Sequence, residues 1–243
     1  MSLPVFVVDL DGVRSGDRVV LDGDEGRHAA TVKRLRVGEQ LVLTDGLGTS
    51  APGTVAETAK SSLVVSVSSV SDAPRPLPSV TVVQAIPKGD RGELAVEVLT
   101  EIGADRIVPW AASRSVAVWR GDRAAKSLAK WRATARAAAK QARRVWFPEV
   151  APLASTTEVA ALIEAADLAV VLHEDAGERI ADLPLDGVAS ILVVVGPEGG
   201  VSEDELAAFE KAHVVGLGSE VLRTSTAGVA GVAALLSRTA RWR

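Results

Sequence analysis

The chain has 243 residues, 47% of them hydrophobic and 24% charged, with a formal net charge of −4 at pH 7. That balance suits a folded globular protein with a sizeable core and excludes a charge-rich disordered chain. No apolar run approaches the roughly 20 residues of a membrane span. The N-terminus lacks the basic stretch of a signal peptide, and the absence of cysteine excludes disulfides and thiolate metal sites; a cytoplasmic protein with no membrane partner is expected.

Residues 1–72 read as a small β-rich module. Runs 5–10, 18–22, 40–43, 53–57 and 63–70 are short, rich in β-branched residues and separated by Gly, Asp and Ser turns. Residues 25–34 form the one helical pattern among them, and Gly46-Leu47-Gly48 suits a hairpin turn. A small barrel is the expected form. Residues 73–79 carry Pro74, Pro76 and Pro78 and read as an extended linker.

From residue 80 to 243 the pattern changes to alternating strands and helices, an α/β domain. Strands are expected at 80–86, 106–110, 168–172, 191–195 and 213–217. In 91–102, Leu94, Val98 and Ile102 recur at i, i+4 and i+8, the period of an amphipathic helix, and Gly103 suits its C-terminal stop. Residues 124–144 form a long Ala-rich helix on which Arg132, Arg136, Lys140 and Arg144 make one stripe. Further helices are expected at 203–212, opened by a Ser202/Glu205 capping box, and at 227–238.

Charge is uneven along the chain. Between Ser113 and Arg144 there are ten bases, Arg114 and Arg143 among them, against the single acid Asp122. A solvated helix face is the plain alternative, but this excess favours phosphate contact. Arg34 and Arg36 belong to a second basic cluster in the first module, where an ordinary solvated face is an equal reading.

Two glycine turns close the chain's chemistry-bearing region: Gly196-Pro197-Glu198-Gly199-Gly200 and Leu217-Gly218, the latter followed by Val221-Leu222-Arg223-Thr224-Ser225-Thr226. Each follows an apolar strand pattern, and in open α/β sheets ligands bind beyond the carboxyl ends of strands. Neither turn is a Walker loop or a dinucleotide fingerprint. A strand-to-helix turn without a ligand remains open, as does simple helix capping by Thr224, Ser225 and Thr226. Yet Glu198 is presented between a proline and glycines, and Arg223 precedes a helix N-terminus, where it can stabilise developing negative charge. Ala227, Gly228, Gly231 and Ala234 make a small-residue face suited to core packing or to a tight interface. His173 ends a strand pattern, and the three histidines show no metal-ligand spacing, so no metal is expected.

The Gly196–Ser202 motif with Leu217-Gly218 and the run from Val221 to Ala227 resembles the RsmE family of SPOUT methyltransferases. Lys88-Gly89-Asp90-Arg91, Glu101-Ile102-Gly103-Ala104, Pro109 and Ser113-Arg114-Ser115 extend the resemblance over nearly the whole chain. It implies a PUA-like N-terminal β-barrel that binds RNA and a C-terminal SPOUT α/β domain with a deep trefoil knot. It also implies a homodimer that methylates N3 of a uridine in 16S ribosomal RNA of the small subunit, using S-adenosylmethionine. The donor would be bound near Leu172, His173, Gly196, Pro197, Gly199, Gly200, Leu217, Gly218, Val221, Leu222, Thr224 and Thr226. Arg223 would stabilise the pyrimidine anion and Glu198 would orient the base or take its proton. Arg34, Arg36, Arg114, Arg132, Arg136, Lys140, Arg143 and Arg144 would contact RNA.

Two departures stand against that pattern. Ser225 occupies a place where the family commonly has glutamate, and Glu97-Val98 stand where it usually has Gln-Lys. Roles of those family side chains do not carry over. Alternatives are a related knotted enzyme acting on another RNA or a ribose 2′-hydroxyl, and a non-catalytic RNA-binding assembly factor.

Overall fold

In the computed structural model, which describes residues 3–242, the short β-branched runs before the proline segment become strands. They are β1 (Val5–Val7), β2 (Arg18–Leu21), β3 (Gln40–Thr44), β4 (Thr49–Thr58), β5 (Leu63–Val67) and β6 (Ser71–Asp72). Their sheet runs in the order β1-β3-β4-β5-β2, antiparallel except for β1 with β3, and β6 pairs with β4. Alternate residues point inward, so Phe6, Leu41, Leu43, Val65 and Leu21 form one buried core. The β3–β4 connection is the expected hairpin, closed by the Asp45 carboxylate, which accepts the N–H groups of Leu47 and Thr49 at 2.7 and 3.0 Å. The helix expected at 25–34 begins earlier, as α1 (Gly23–Arg27), and continues through a π-helical turn, His28–Val32.

Two compact units result. Ala139–Phe147 group with the residues up to Arg75, while Pro76–Ala138 group with the chain from Pro148 onward. Side chains explain the first grouping: Trp146 lies against Gly48 and donates its indole N–H to the Ala73 carbonyl at 2.9 Å, with Arg75 stacked 4.2 Å from its ring.

The second unit is built on a seven-stranded parallel sheet. Its strands are β7 (Ser79–Ala85), β8 (Arg106–Trp110), β9 (Glu149–Val150), β10 (Leu168–Leu172), β11 (Glu178–Arg179), β12 (Ser190–Val195) and β13 (His213–Gly216). The order is β11-β13-β10-β12-β7-β8-β9, with every pairing parallel. A parallel sheet needs cover on both faces, and here successive residues feed two cores. Val82, Val170 and Val193 pack on one side; Val83, Val171 and Val194 pack on the other.

Helices α2 (Arg91–Ile102), α3 (Asp122–Gln141) and α6 (Thr224–Leu236) contribute to the first core, and α4 (Thr156–Ala165) and α5 (Glu203–Ala208) to the second. Gly103 ends α2 at φ 110°. The small residues of α6 serve packing: side chains of Leu99 and Val195 lie 3.1 Å from where a Gly228 Cβ would stand. Helix α3 ends at Gln141, short of the expected 144, and α6 starts at Thr224, one turn before the expected 227. No helix among the described residues is long and apolar enough to cross a membrane.

Candidate functional site

Parallel strands deliver their following loops to one edge of the sheet, and the register makes four of them level. Val195 pairs with both Leu172 and Gln84, and Leu172 also pairs with Val215. The loops after β7, β10, β12 and β13 therefore emerge side by side. They enclose a cavity of about 890 Å³. Its walls are Lys88 to Arg91, Leu172 to Glu174, Val195 to Glu198 with Gly200 and Val201, and Leu217 to Thr224, with Val215 and Ala227 behind.

The backbone of the β12 turn is shaped for this wall. Gly200 sits at φ 74°, a conformation that side-chain-bearing residues rarely adopt. At Gly196 a Cβ would lie 2.8 Å from the Val201 side chain. The following helix opens with the expected capping box, in which Ser202 and Glu205 exchange hydrogen bonds. Burial pushes the Glu205 carboxyl up, but hydrogen bonds from Ser113 and Ser202 more than reverse this and hold it below the usual carboxylate range.

Three polar groups of the cavity have defined surroundings. Arg223 is exposed at the N-cap position of α6, and its guanidinium meets no acceptor among the described residues. A cation at the positive end of a helix is unfavourable without a counter-charge, so this place calls for an anion. The Glu198 carboxylate accepts the Lys88 N–H at 3.1 Å, tying the β12 turn to the β7 turn. His173 accepts the Asp175 N–H on Nδ1 at 3.2 Å, which puts the proton of the neutral ring on Nε2, a donor for the cavity. Behind them, the buried Gln84 amide donates to the Thr224 carbonyl at 3.2 Å and fixes the start of α6.

Most residues expected to hold the donor come together here: Leu172, His173, Gly196, Pro197, Gly200, Leu217, Gly218, Val221, Leu222 and Thr224 all line the cavity, as do Glu198 and Arg223. Gly199 and Thr226 do not. Thr224 and Ser225 are buried in the first turn of α6 and supply no capping bond. Lys88, Gly89, Asp90, Arg91 and Glu174 line the cavity without having been expected there, and Ser219 and Glu220, within the 217–226 loop, join them. The Lys88–Arg91 motif was visible, but only the strand order puts it beside the glycine turn.

The expected RNA set divides. Arg34, Arg36 and Arg143 are exposed. Arg114 leans on the glycine turn and donates to the Gly199 carbonyl at 3.3 Å. Arg132 donates from Nε to the Val150 carbonyl and Arg144 to that of Trp146, while Arg136 lies exposed on α3. Lys140 is held by both oxygens of Glu25 at 2.8 and 2.7 Å, so its charge is already neutralised within the first unit. Among the described residues, no group of three His, Asp or Glu could hold a metal ion.

Comparison with known proteins places this geometry. Residues 73–236 match the family model of the RNA methyltransferase domain, and residues 21–68 that of the RNA methyltransferase PUA domain. A protein of Mycobacterium bovis named ribosomal RNA small subunit methyltransferase E is 47% identical, over 94% of this chain and 89% of its own. The solved structure of a ribosomal RNA small subunit methyltransferase E from Neisseria gonorrhoeae, bound to S-adenosyl methionine, is also similar. It superposes with a TM-score of 0.85 at 28% identity, over 97% of this chain and 98% of its own. A methyltransferase structure from Legionella pneumophila shares the fold, with a TM-score of 0.87 at 24% identity over 98% of each chain.

Proposed function

Because the chain belongs to the RNA methyltransferase family, with that family's PUA domain at its N-terminus, we propose that it methylates N3 of a uridine in 16S ribosomal RNA. S-adenosylmethionine is the methyl donor and the small ribosomal subunit the substrate. The observation that carries this reading is the cavity at the level ends of four parallel strands, with the Arg223 guanidinium unanswered at a helix N-terminus.

The cavity residues fit a nucleoside-bearing donor. A volume of about 890 Å³ suits a ligand of that size, and the glycine turn lets backbone approach it closely. The walls at Leu172, His173, Gly196, Pro197, Gly200, Leu217, Gly218, Val221, Leu222 and Thr224 hold it, with His173 Nε2–H as a donor toward a ligand oxygen or nitrogen. When bound, the donor supplies a methyl group activated by a sulfonium.

The chain's own residues act on the uridine. Its N3 must lose a proton before the nitrogen can form the new N–CH₃ bond. Glu198 takes that proton or orients the base, and Arg223 stabilises the negative charge left on the pyrimidine. Bases on α3 and in the first unit attract the RNA backbone. An internal uridine must be unstacked to expose N3, which favours structured RNA in an assembled subunit. On this reading the enzyme works in the cytoplasm as a homodimer.

Ser225 is no argument for a binding factor that has lost its chemistry. It is buried and does not line the cavity, so a serine there removes no charged group from the cavity wall.

The test is methyl transfer from labelled S-adenosylmethionine to unmodified small subunits, followed by nucleoside analysis. Label in 3-methyluridine is expected; label in a ribose methyl or in another base would assign a different acceptor atom. Donor binding without transfer would indicate another RNA or a binding factor. Arg223→Ala should lower turnover by about 10²–10³-fold while donor affinity is kept; unchanged turnover removes Arg223 from the mechanism.

A further inference from the structure

Two capping boxes of the second unit have the same chemistry but different surroundings. In α4, Ser155 and Glu158 form an exposed box, and one oxygen of Glu158, Oε2, takes both the Ser155 N–H at 2.7 Å and its hydroxyl at 2.8 Å. In α5, Oε2 of Glu205 does the same for Ser202 at 2.9 and 3.0 Å. Its other oxygen reaches outside the box: Oε1 accepts the Ser113 N–H at 2.7 Å. Glu205 is 3% exposed, a buried carboxylate with its charge answered entirely by donors from two loops.

The loop that Oε1 holds is the one that supports the glycine turn. Arg114, next to Ser113, donates to the Gly199 carbonyl at 3.3 Å. Its Cβ and its carbonyl oxygen both lie 3.1 Å from where a Gly199 side chain would begin, so the two backbones are in close contact. Ser113 adds a hydroxyl bond to Ser202 at 3.2 Å. On the opposite side, the turn is tied through Glu198 to Lys88. Neither Glu205, Ser113 nor Arg114 lines the cavity.

We propose that Glu205 is a positioning residue for the donor cavity, acting through Ser113 and Arg114 to hold the Glu198–Gly200 turn at the cavity wall. This rests on the cavity being the donor site. The role needs a carboxylate with two accepting oxygens. Glutamine satisfies a capping box, but with its oxygen turned to Ser202 its NH₂ faces the Ser113 N–H, donor against donor. Glu205→Gln therefore keeps the box and breaks the grip on the loop. Glu158→Gln meets no such conflict, because a single oxygen serves that box.

The experiment measures S-adenosylmethionine binding to the full chain by calorimetry, with the melting temperature of each variant recorded. Glu205→Gln should raise the donor Kd about tenfold, corresponding to about 1.4 kcal/mol, and Glu158→Gln should leave it unchanged. Arg114→Ala, an exposed truncation that leaves both boxes intact, should also raise the Kd. The double variant Arg114→Ala/Glu205→Gln should fall short of the product of the two effects, because both act on one turn. Wild-type affinity in Glu205→Gln, or equal weakening by Glu158→Gln, overturns the assignment. Failure of the wild-type chain to bind the donor would instead overturn the reading of the cavity.

Discussion

The Lys140 ammonium stands 2.8 and 2.7 Å from the two carboxylate oxygens of Glu25, and 5.5 Å from the centre of the Phe6 ring. Its position in an i+4 series with Arg132 and Arg136 suggested a phosphate contact, because sequence spacing places a residue on a helix face but not what covers that face. With side chains only 15% and 18% exposed, the pair lies between a surface ion pair, worth about 0–1 kcal/mol, and a fully buried one, whose breakage costs about 3–5 kcal/mol. Lys140→Ala should therefore destabilise the first unit by about 1–3 kcal/mol and leave the salt dependence of RNA binding unchanged. Urea denaturation and filter binding at several salt concentrations measure the two effects separately. A change in salt slope with unchanged stability would restore Lys140 to the RNA contacts.

At the level of single elements, the electrostatic reading of α3 rests on its exposed bases. Arg123 and Lys126 lie in its first half, exposed, whereas Lys130 pairs with Glu93 at 2.9 Å. If α3 meets RNA phosphates, replacing Arg123 and Lys126 by alanine should reduce the slope of log K against log[salt] by about 1.4–1.8, close to one counterion for each charge. An unchanged slope would make α3 a solvated face. Element boundaries were legible where packing and local chemistry agree: the 91–102 and 168–172 readings coincide with α2 and β10. Helix α4 is weakly marked in the sequence although its Ser155/Glu158 box is the same signal as that at Ser202 and Glu205. Its only fully buried residues are Val159 and Ile163, so the apolar period is brief. The end of α3 was not legible, because Arg143 turns to φ 54° where no glycine or proline announces a stop.

Across the whole molecule, the site depends on strand order, which composition and periodicity do not carry. The glycine turns could be read as the ends of strands, yet Lys88 meets Glu198 only because β7 pairs with β12, a partner more than 100 residues later in sequence. Carboxylates held by hydrogen bonds, some local and some between distant segments, set the protein's response to acid. Glu205 is held below the usual carboxylate range against the opposing effect of burial. Asp167 is lowered by the Ser190 hydroxyl and by the N–H groups of Ala189 and Ser190, and Glu158 by Ser155. A carboxyl with a lower pKa folded than unfolded stabilises the native state fully above its unfolded value and loses that contribution as pH falls toward the folded value. The unfolded values lie near 4, so stability from these groups should be level between about pH 8 and 5 and decline below about pH 4.5. Lys130, raised chiefly by its hydrogen bond to Glu93, has the opposite sign and acts only at the alkaline end. Thermal denaturation across this range tests the expectation, with Glu205→Gln as the informative variant. Lacking a group to protonate, it should show a shallower acid decline than the wild-type chain. An identical decline would place the acid sensitivity elsewhere and leave Glu205 without a role in it.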